Sequence, residues 1–213
     1  MNPATVWIKP PGPATAGLRI GLLGGSFNPA HAGHLHVSEV ALKRLELDYV
    51  WWLVSPQNPL KSTASMAPLR QRLASARAIA GRRPRLCISD IESRMGTRYT
   101  IDTVTQLKTR FSQLRFVWLM GTDNLLTFHR WQNWRRLAQI IPIAVVTRPG
   151  TIMAPLMAVA RRRFAGSGTP RSERLIVAAR PPALVVLDGK RSQASATALR
   201  HRGLGWPSQP VLQ

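Results

Sequence analysis

Six short runs of continuous apolar residues constrain this chain more than any other feature: Leu18–Leu23, Tyr49–Val54, Arg85–Ser89, Arg115–Met120, Ile143–Val146 and Leu184–Leu187. They are rich in β-branched and aromatic side chains, which predicts strands covered on both faces. Stretches of helical period lie between them. Val37, Val40, Ala41 and Leu45 fall on one helical face, and Leu69, Leu73, Ala76 and Ala80 repeat the pattern. Thr103–Phe111 and Pro155–Phe164 are further expected helices, Ser195–Arg202 is a short last one, and Ala165–Pro182 reads as a long loop. Strand and helix in alternation predict an α/β fold: a doubly wound, Rossmann-like parallel sheet with helices on both faces, in a single domain.

That domain is expected to span residues 18–213. The four prolines of "MNPATVWIKPPGPATAG" suggest a flexible extension over residues 1–17 and do not suit a signal peptide. No apolar run approaches the ~20 residues that cross a bilayer, so no membrane partner is expected. Cys87, the single cysteine, sits in Leu86-Cys87-Ile88 and reads as a buried structural thiol. An internal disulfide is ruled out, and a reducing, cytoplasmic setting is the expectation. Thirty Lys and Arg against nine Asp and Glu give a formal charge of +21. Such a charge suits nucleic acid, or small polyanionic substrates by long-range steering. The basic residues are scattered, with no basic tail or aromatic-interleaved repeat, and no nucleic-acid partner is expected. A homo-oligomer is left open.

In a doubly wound sheet, ligands sit beyond the carboxyl ends of the strands, where the strand order reverses. The loop after the first strand is "GGSFNPAHAGH", Gly24 to His34. Gly24 and Gly25 permit a tight turn and a close approach by phosphate. His31 and His34 then open a helix whose N–H groups and dipole favour anions, and an imidazole there can donate whether neutral or protonated. A metal site lacks a cysteine or acidic cluster nearby, so no metal ligand is assigned. A purely structural histidine pair stays open. "GKRS" at Gly189–Ser192 lacks the upstream glycine of a Walker loop, and no G-x-G-x-x-G is present.

"GGSFNPAHAGHL" resembles the signature of the H-x-G-H nucleotidyltransferases, and Ser195-Ala196-Thr197-Ala198-Leu199-Arg200 resembles their second signature, with Ala196 replacing a serine. Between them, "SPQNPLK", "RYTIDTV", "GTDNLLTFHRW" and "VVTRPG" are similar to bacterial nicotinate-nucleotide adenylyltransferases, over residues 18–202. The resemblance implies transfer of AMP from ATP to nicotinate mononucleotide, with release of pyrophosphate and Mg²⁺ held mainly through ATP phosphates. It implies that His31, His34, Lys61 and Arg200 are catalytic. ATP would meet Gly24, Gly25, Ser26, Phe27, Gly121, Asp123, Ser195 and Thr197 as well. The mononucleotide would meet Asn58, Lys61, Tyr99, Thr100, Trp131 and Arg148. The alternatives are the same chemistry on nicotinamide mononucleotide or phosphopantetheine, or a basic nucleic-acid-binding protein without activity.

Overall fold

All six apolar runs become strands: β1 (Arg19–Gly25), β2 (Tyr49–Val54), β3 (Leu86–Ser89), β4 (Arg115–Gly121), β5 (Ile143–Val146) and β6 (Leu184–Leu187). The structure, a computed structural model, describes residues 7–56, 66–147, 164 and 172–188. The strands form one sheet in the order β3-β2-β1-β4-β5-β6, each pair parallel. Among the described residues the helices are α1 (Ala32–Arg44), α2 (Leu69–Ala80), α3 (Ile91–Arg94), α4 (Thr100–Arg110), α5 (Thr122–Thr127) and α6 (Trp134–Ile140).

Alternate strand residues feed two cores. Leu22, Trp51 and Trp118 pack on one face with Ile101, Val104 and Leu107 of α4 and Leu137 of α6. Leu23, Trp52 and Leu119 pack on the other with Val37 and Ala41 of α1 and Leu73 and Ala76 of α2. Helices therefore cover both faces, and this is why the strands read as unbroken apolar runs.

Several elements differ from the sequence expectation. α4 begins at Thr100, three residues before the expected start at Thr103. α5, a 3₁₀ turn at Phe128–Arg130 and α6 lie in a stretch with no clear helical period. The expected long loop contains a 3₁₀ turn at Glu173–Ala178. Arg44 holds this turn through a two-pronged pair, Nη2 to Glu173 Oε1 at 2.5 Å and Nε to Oε2 at 2.7 Å. The expected helices Pro155–Phe164 and Ser195–Arg202 lie outside the described residues, except for Phe164, whose side chain is buried.

Residues 7–17, the described part of the extension that the prolines suggest is flexible, make hydrogen bonds to the domain. The carbonyl of Lys9 accepts from Arg94 Nη1 at 2.9 Å, and that of Ala14 accepts from Gln113 Nε2 at 3.2 Å. Gly12 lies so close to β2 and β3 that a Cβ there would collide with Cys87 Sγ. Burial under this strap pushes the Cys87 thiol up to about 11, the behaviour of a structural cysteine.

Candidate active site

The strand order reverses between β1 and β4, which lie side by side with Leu23 opposite Leu119. Their carboxyl ends, Gly24–Gly25 and Gly121, therefore open onto the same crevice. Gly24 is glycine for a reason internal to the fold. A Cβ there would stand 2.5 Å from Trp118 Cη2 and 2.9 Å from Cζ2, so the indole occupies the space a side chain would need. At Gly25 the corresponding contact is an ordinary 3.5 Å to the Phe27 ring. The left-handed residue of this turn is Phe27, with φ of 47°, followed by a cis Asn28–Pro29 bond. A non-glycine residue in that region costs about 1–3 kcal/mol and needs its surroundings to hold it. Phe27 is buried, stacks on Trp52 at 5.1 Å between centroids, and meets the His34 ring at 4.5 Å.

His31 and His34 form the helix cap themselves. His31 is the N-cap of α1, and its Nδ1 accepts the Gly33 N–H at 3.1 Å. Three residues on, His34 Nδ1 accepts the His31 N–H at 3.2 Å. This is the reciprocal capping box usually built from Ser or Thr and Glu, made here from two imidazoles. The two rings sit 4.0 Å apart between centroids. A neutral ring that accepts through Nδ1 carries its proton on Nε2, so each histidine has one donor whose position the cap determines. A second proton on Nδ1 would break the cap.

The turn is held from beneath by α2. Arg72 is 1% exposed, and its guanidinium donates to four carbonyls: Ala67 from Nε at 2.8 Å, Ser26 and Ser55 from Nη1 at 2.7 Å each, and Pro56 from Nη2 at 2.9 Å. Among the described residues it makes no ion pair. Burial lowers its pKa from the usual guanidinium value. Ser75 Oγ accepts the Ala30 N–H at 3.2 Å, and Asn28 Oδ1 accepts the Ala67 N–H at 3.0 Å.

Across the crevice, Gly121 is the N-cap of α5 and Asp123 stands exposed in its first turn. Trp131 is half-buried, edge-on to Trp118 at 6.1 Å and to Phe128 at 5.4 Å. It thus reaches the Gly24 turn through one intervening indole. Tyr99 and Thr100 open α4, where Tyr99 caps with backbone only and the Arg98 guanidinium lies 5.7 Å from its ring. Asn58, Lys61, Arg148, Ser195, Thr197 and Arg200 lie outside the described residues. Among the described residues no group of three or more His, Cys, Asp or Glu is placed to hold a metal ion.

Beneath Tyr99 sits a buried carboxyl. Burial pushes Glu92 up to about 7, against a hydrogen bond from Thr103 that acts the other way. Thr103 Oγ1 is also 2.8 Å from Thr97 Oγ1 and 3.3 Å from the Tyr99 carbonyl oxygen. With a folded pKa above the unfolded 4.5, the native chain holds an extra proton between about pH 4.5 and 7. Stability from this group is therefore full below that window and is lost as pH rises through it, by at most about 3 kcal/mol. Urea titrations of the parent and Glu92→Gln are expected to diverge by roughly 2–3 kcal/mol between about pH 5 and pH 8, in favour of glutamine at the higher pH. A gap that stays constant with pH would remove Glu92 as the titrating group.

The cytidylyltransferase-like family matches residues 22–202. A relative from Parvibaculum lavamentivorans named "Probable nicotinate-nucleotide adenylyltransferase" is 56% identical over 195 residues, covering 90% of this chain and 95% of its own. One of the same name from Methylorubrum extorquens is 50% identical over 186 residues, covering 87% of this chain and all of its own. The chain belongs to the nicotinate-nucleotide adenylyltransferase family.

Two structures of Plasmodium falciparum nicotinic acid mononucleotide adenylyltransferase share the fold. The complex with NaAD superposes with a TM-score of 0.64 at 15% identity, and that with APC with 0.62 at 14%, each over 86% of this chain and 83% of the other. In this member of the adenylyltransferase family, sequence reasoning passes over Arg72, Ser75, Asn28 and Trp118. The first two look like ordinary residues of an amphipathic helix, since "RQRLASAR" carries three evenly exchangeable arginines. Asn28 and Trp118 carry no local signal that would mark them for the turn.

Proposed function

We propose that this chain transfers AMP from ATP to nicotinate mononucleotide, releasing pyrophosphate and forming deamido-NAD. The observation that carries the reading is the imidazole capping box at the start of α1, set where β1 and β4 part, in a chain 56% identical to a relative of that name. An oxygen of the mononucleotide phosphate attacks the α-phosphorus of ATP in line with the bond to the β-phosphate. That bond breaks, and its electron pair leaves with pyrophosphate. The attacking phosphate is already an anion at neutral pH, so no general base is required, and the protein's part is alignment and charge stabilisation.

The amides that open α1 and the Nε2–H donors of His31 and His34 serve the triphosphate, with His34 nearer the reacting phosphorus. Gly24, Gly25, Ser26 and Phe27 shape that turn, and Gly121 and Asp123 line the nucleotide side, Asp123 through a ribose hydroxyl. Tyr99 and Thr100 meet the nicotinate carboxylate and Trp131 its ring, with Asn58 and Arg148 toward the mononucleotide. Lys61, Ser195, Thr197 and Arg200 neutralise or hydrogen-bond phosphate. Mg²⁺ would be held mainly through the ATP phosphates, with Asp123 a carboxylate in the first turn of α5 on the nucleotide side. When bound, the ion neutralises phosphate charge. The formal +21 favours encounter with two anionic substrates, and a single reduced cysteine suits the cytoplasm.

Pyrophosphate release from ATP with each mononucleotide tests the reading. The acid form is expected to give the larger kcat/KM, by about tenfold or more, because a site of N–H donors discriminates against an amide. Release with neither mononucleotide, or with the amide preferred, would overturn the assignment.

A further inference from the structure

We propose that Arg72 is a positioning residue for adenylyl transfer: its guanidinium sets the place of the Ser26–His31 turn against the end of β2, and so the aim of both imidazoles. The inference rests on the function proposed above.

A guanidinium has five N–H donors in one rigid plane. Arg72 spends four of them on carbonyls from three separate segments: Ser26 in the turn, Ser55 and Pro56 beyond β2, and Ala67 before its own helix. Further ties among the described residues run between the same segments: the Ser55 N–H and hydroxyl both donate to the Gly25 carbonyl, the Ala30 N–H donates to Ser75 Oγ of α2, and the Ala67 N–H donates to Asn28 Oδ1. Because the fork is planar, moving the Ser26 carbonyl by a fraction of its bond length would detach it while the Ser55 and Pro56 bonds persisted. The turn thus has one register in which all are satisfied.

Stability alone does not account for such a residue. Burying a cation without a carboxylate carries a desolvation cost of the same order as the charge-assisted bonds it gains, and an apolar side chain of equal volume often serves a core as well. What an apolar side chain cannot supply is a fixed distance between the turn and the strand. That distance fixes Ser26, and five residues later His31, whose Nδ1 starts the cap.

The test compares the full-length parent with Arg72→Lys, Arg72→Met and Ser75→Ala. Steady-state rates with ATP and nicotinate mononucleotide are measured beside the thermal melt and the exchange of the His31 and Gly33 amides. Lysine keeps the charge but offers one nitrogen, which cannot span four carbonyls. In both Arg72 variants kcat is expected to fall roughly 10- to 100-fold with KM for ATP within about threefold, the signature of misalignment in the transition state. The two amides are expected to exchange about tenfold faster or more. Ser75→Ala should show the same split at roughly a third to a tenth of the kcat, and it decides the matter if an Arg72 variant does not fold. A variant with a lowered melt but the parent's kcat per folded molecule would overturn the proposal. If the parent turns over neither mononucleotide, the functional reading fails separately, and amide exchange decides on Arg72: unchanged exchange overturns it, faster exchange upholds the hold on the turn.

Discussion

Replacing His34 by alanine is expected to lower kcat roughly 100- to 1000-fold, the loss seen when one donor to developing charge is removed, about 2.7–4 kcal/mol of barrier. The same substitution removes an acceptor from the His31 N–H, so it should also cost about 1 kcal/mol of stability. The two losses can be separated. Glutamine is a natural third residue of a capping box, and its side-chain oxygen can accept the His31 N–H as His34 Nδ1 does. His34→Gln is therefore expected to recover the melting temperature and not the rate. In the mirror experiment, His31→Asn keeps a good N-cap and loses the Nε2–H donor. If His34→Gln restored turnover along with stability, the imidazole would be a cap and nothing more.

Gly24→Ala is the second substitution with a large expected effect. Its new methyl carbon would stand inside contact distance of two atoms of the Trp118 benzo ring. That ring is 1% exposed and packed edge-on to Trp131. Overpacking of this kind costs about 1–3 kcal/mol, which for a chain of this size shifts the melting temperature by roughly 2–4 °C per kcal/mol. The strain falls on the entry to the turn that carries His31, and a displacement near 1 Å there is expected to lower turnover up to about 100-fold. Phenylalanine lacks both clashing atoms. Trp118→Phe in the Gly24→Ala background should therefore recover stability and rate beyond the sum of the single effects. Failure of that rescue, in a folded double variant, would mean that Gly24 is needed for an approaching ligand rather than for the indole.

The contrast at Gly24 shows what a sequence can and cannot say. Strand positions are legible because a sheet covered on both sides demands unbroken apolar runs, and Tyr49–Val54, Ile143–Val146 and Leu184–Leu187 match their strands end to end. The crevice at the β1–β4 boundary follows from that order of elements, and the histidine pair stands there as the motif suggests. What the histidines do to the backbone is a matter of ring orientation, which spacing does not encode. The start of α4 is obscured because Thr100 and Asp102 are polar and its apolar face appears only with Ile101 and Val104. α6 is obscured because "WQNWRRLAQI" mixes aromatic and charged residues and opens on Asn133 in a left-handed conformation. Arg72 is hidden for the plainest reason. Its fourfold role depends on carbonyls contributed by segments 5 to 46 residues away, and a helix residue in a string gives no sign of them.

Helix α1 is fastened at both extremities. Its first turn is closed by the imidazole box, and its last by Arg44, which grips Glu173 and also donates to the Asp188 carbonyl at 3.2 Å. A rod held at both ends in this way resists sliding along its axis and turning about it. If the proposed function holds, the amides at its tip would meet the nucleotide already oriented, leaving less ordering to be done on binding.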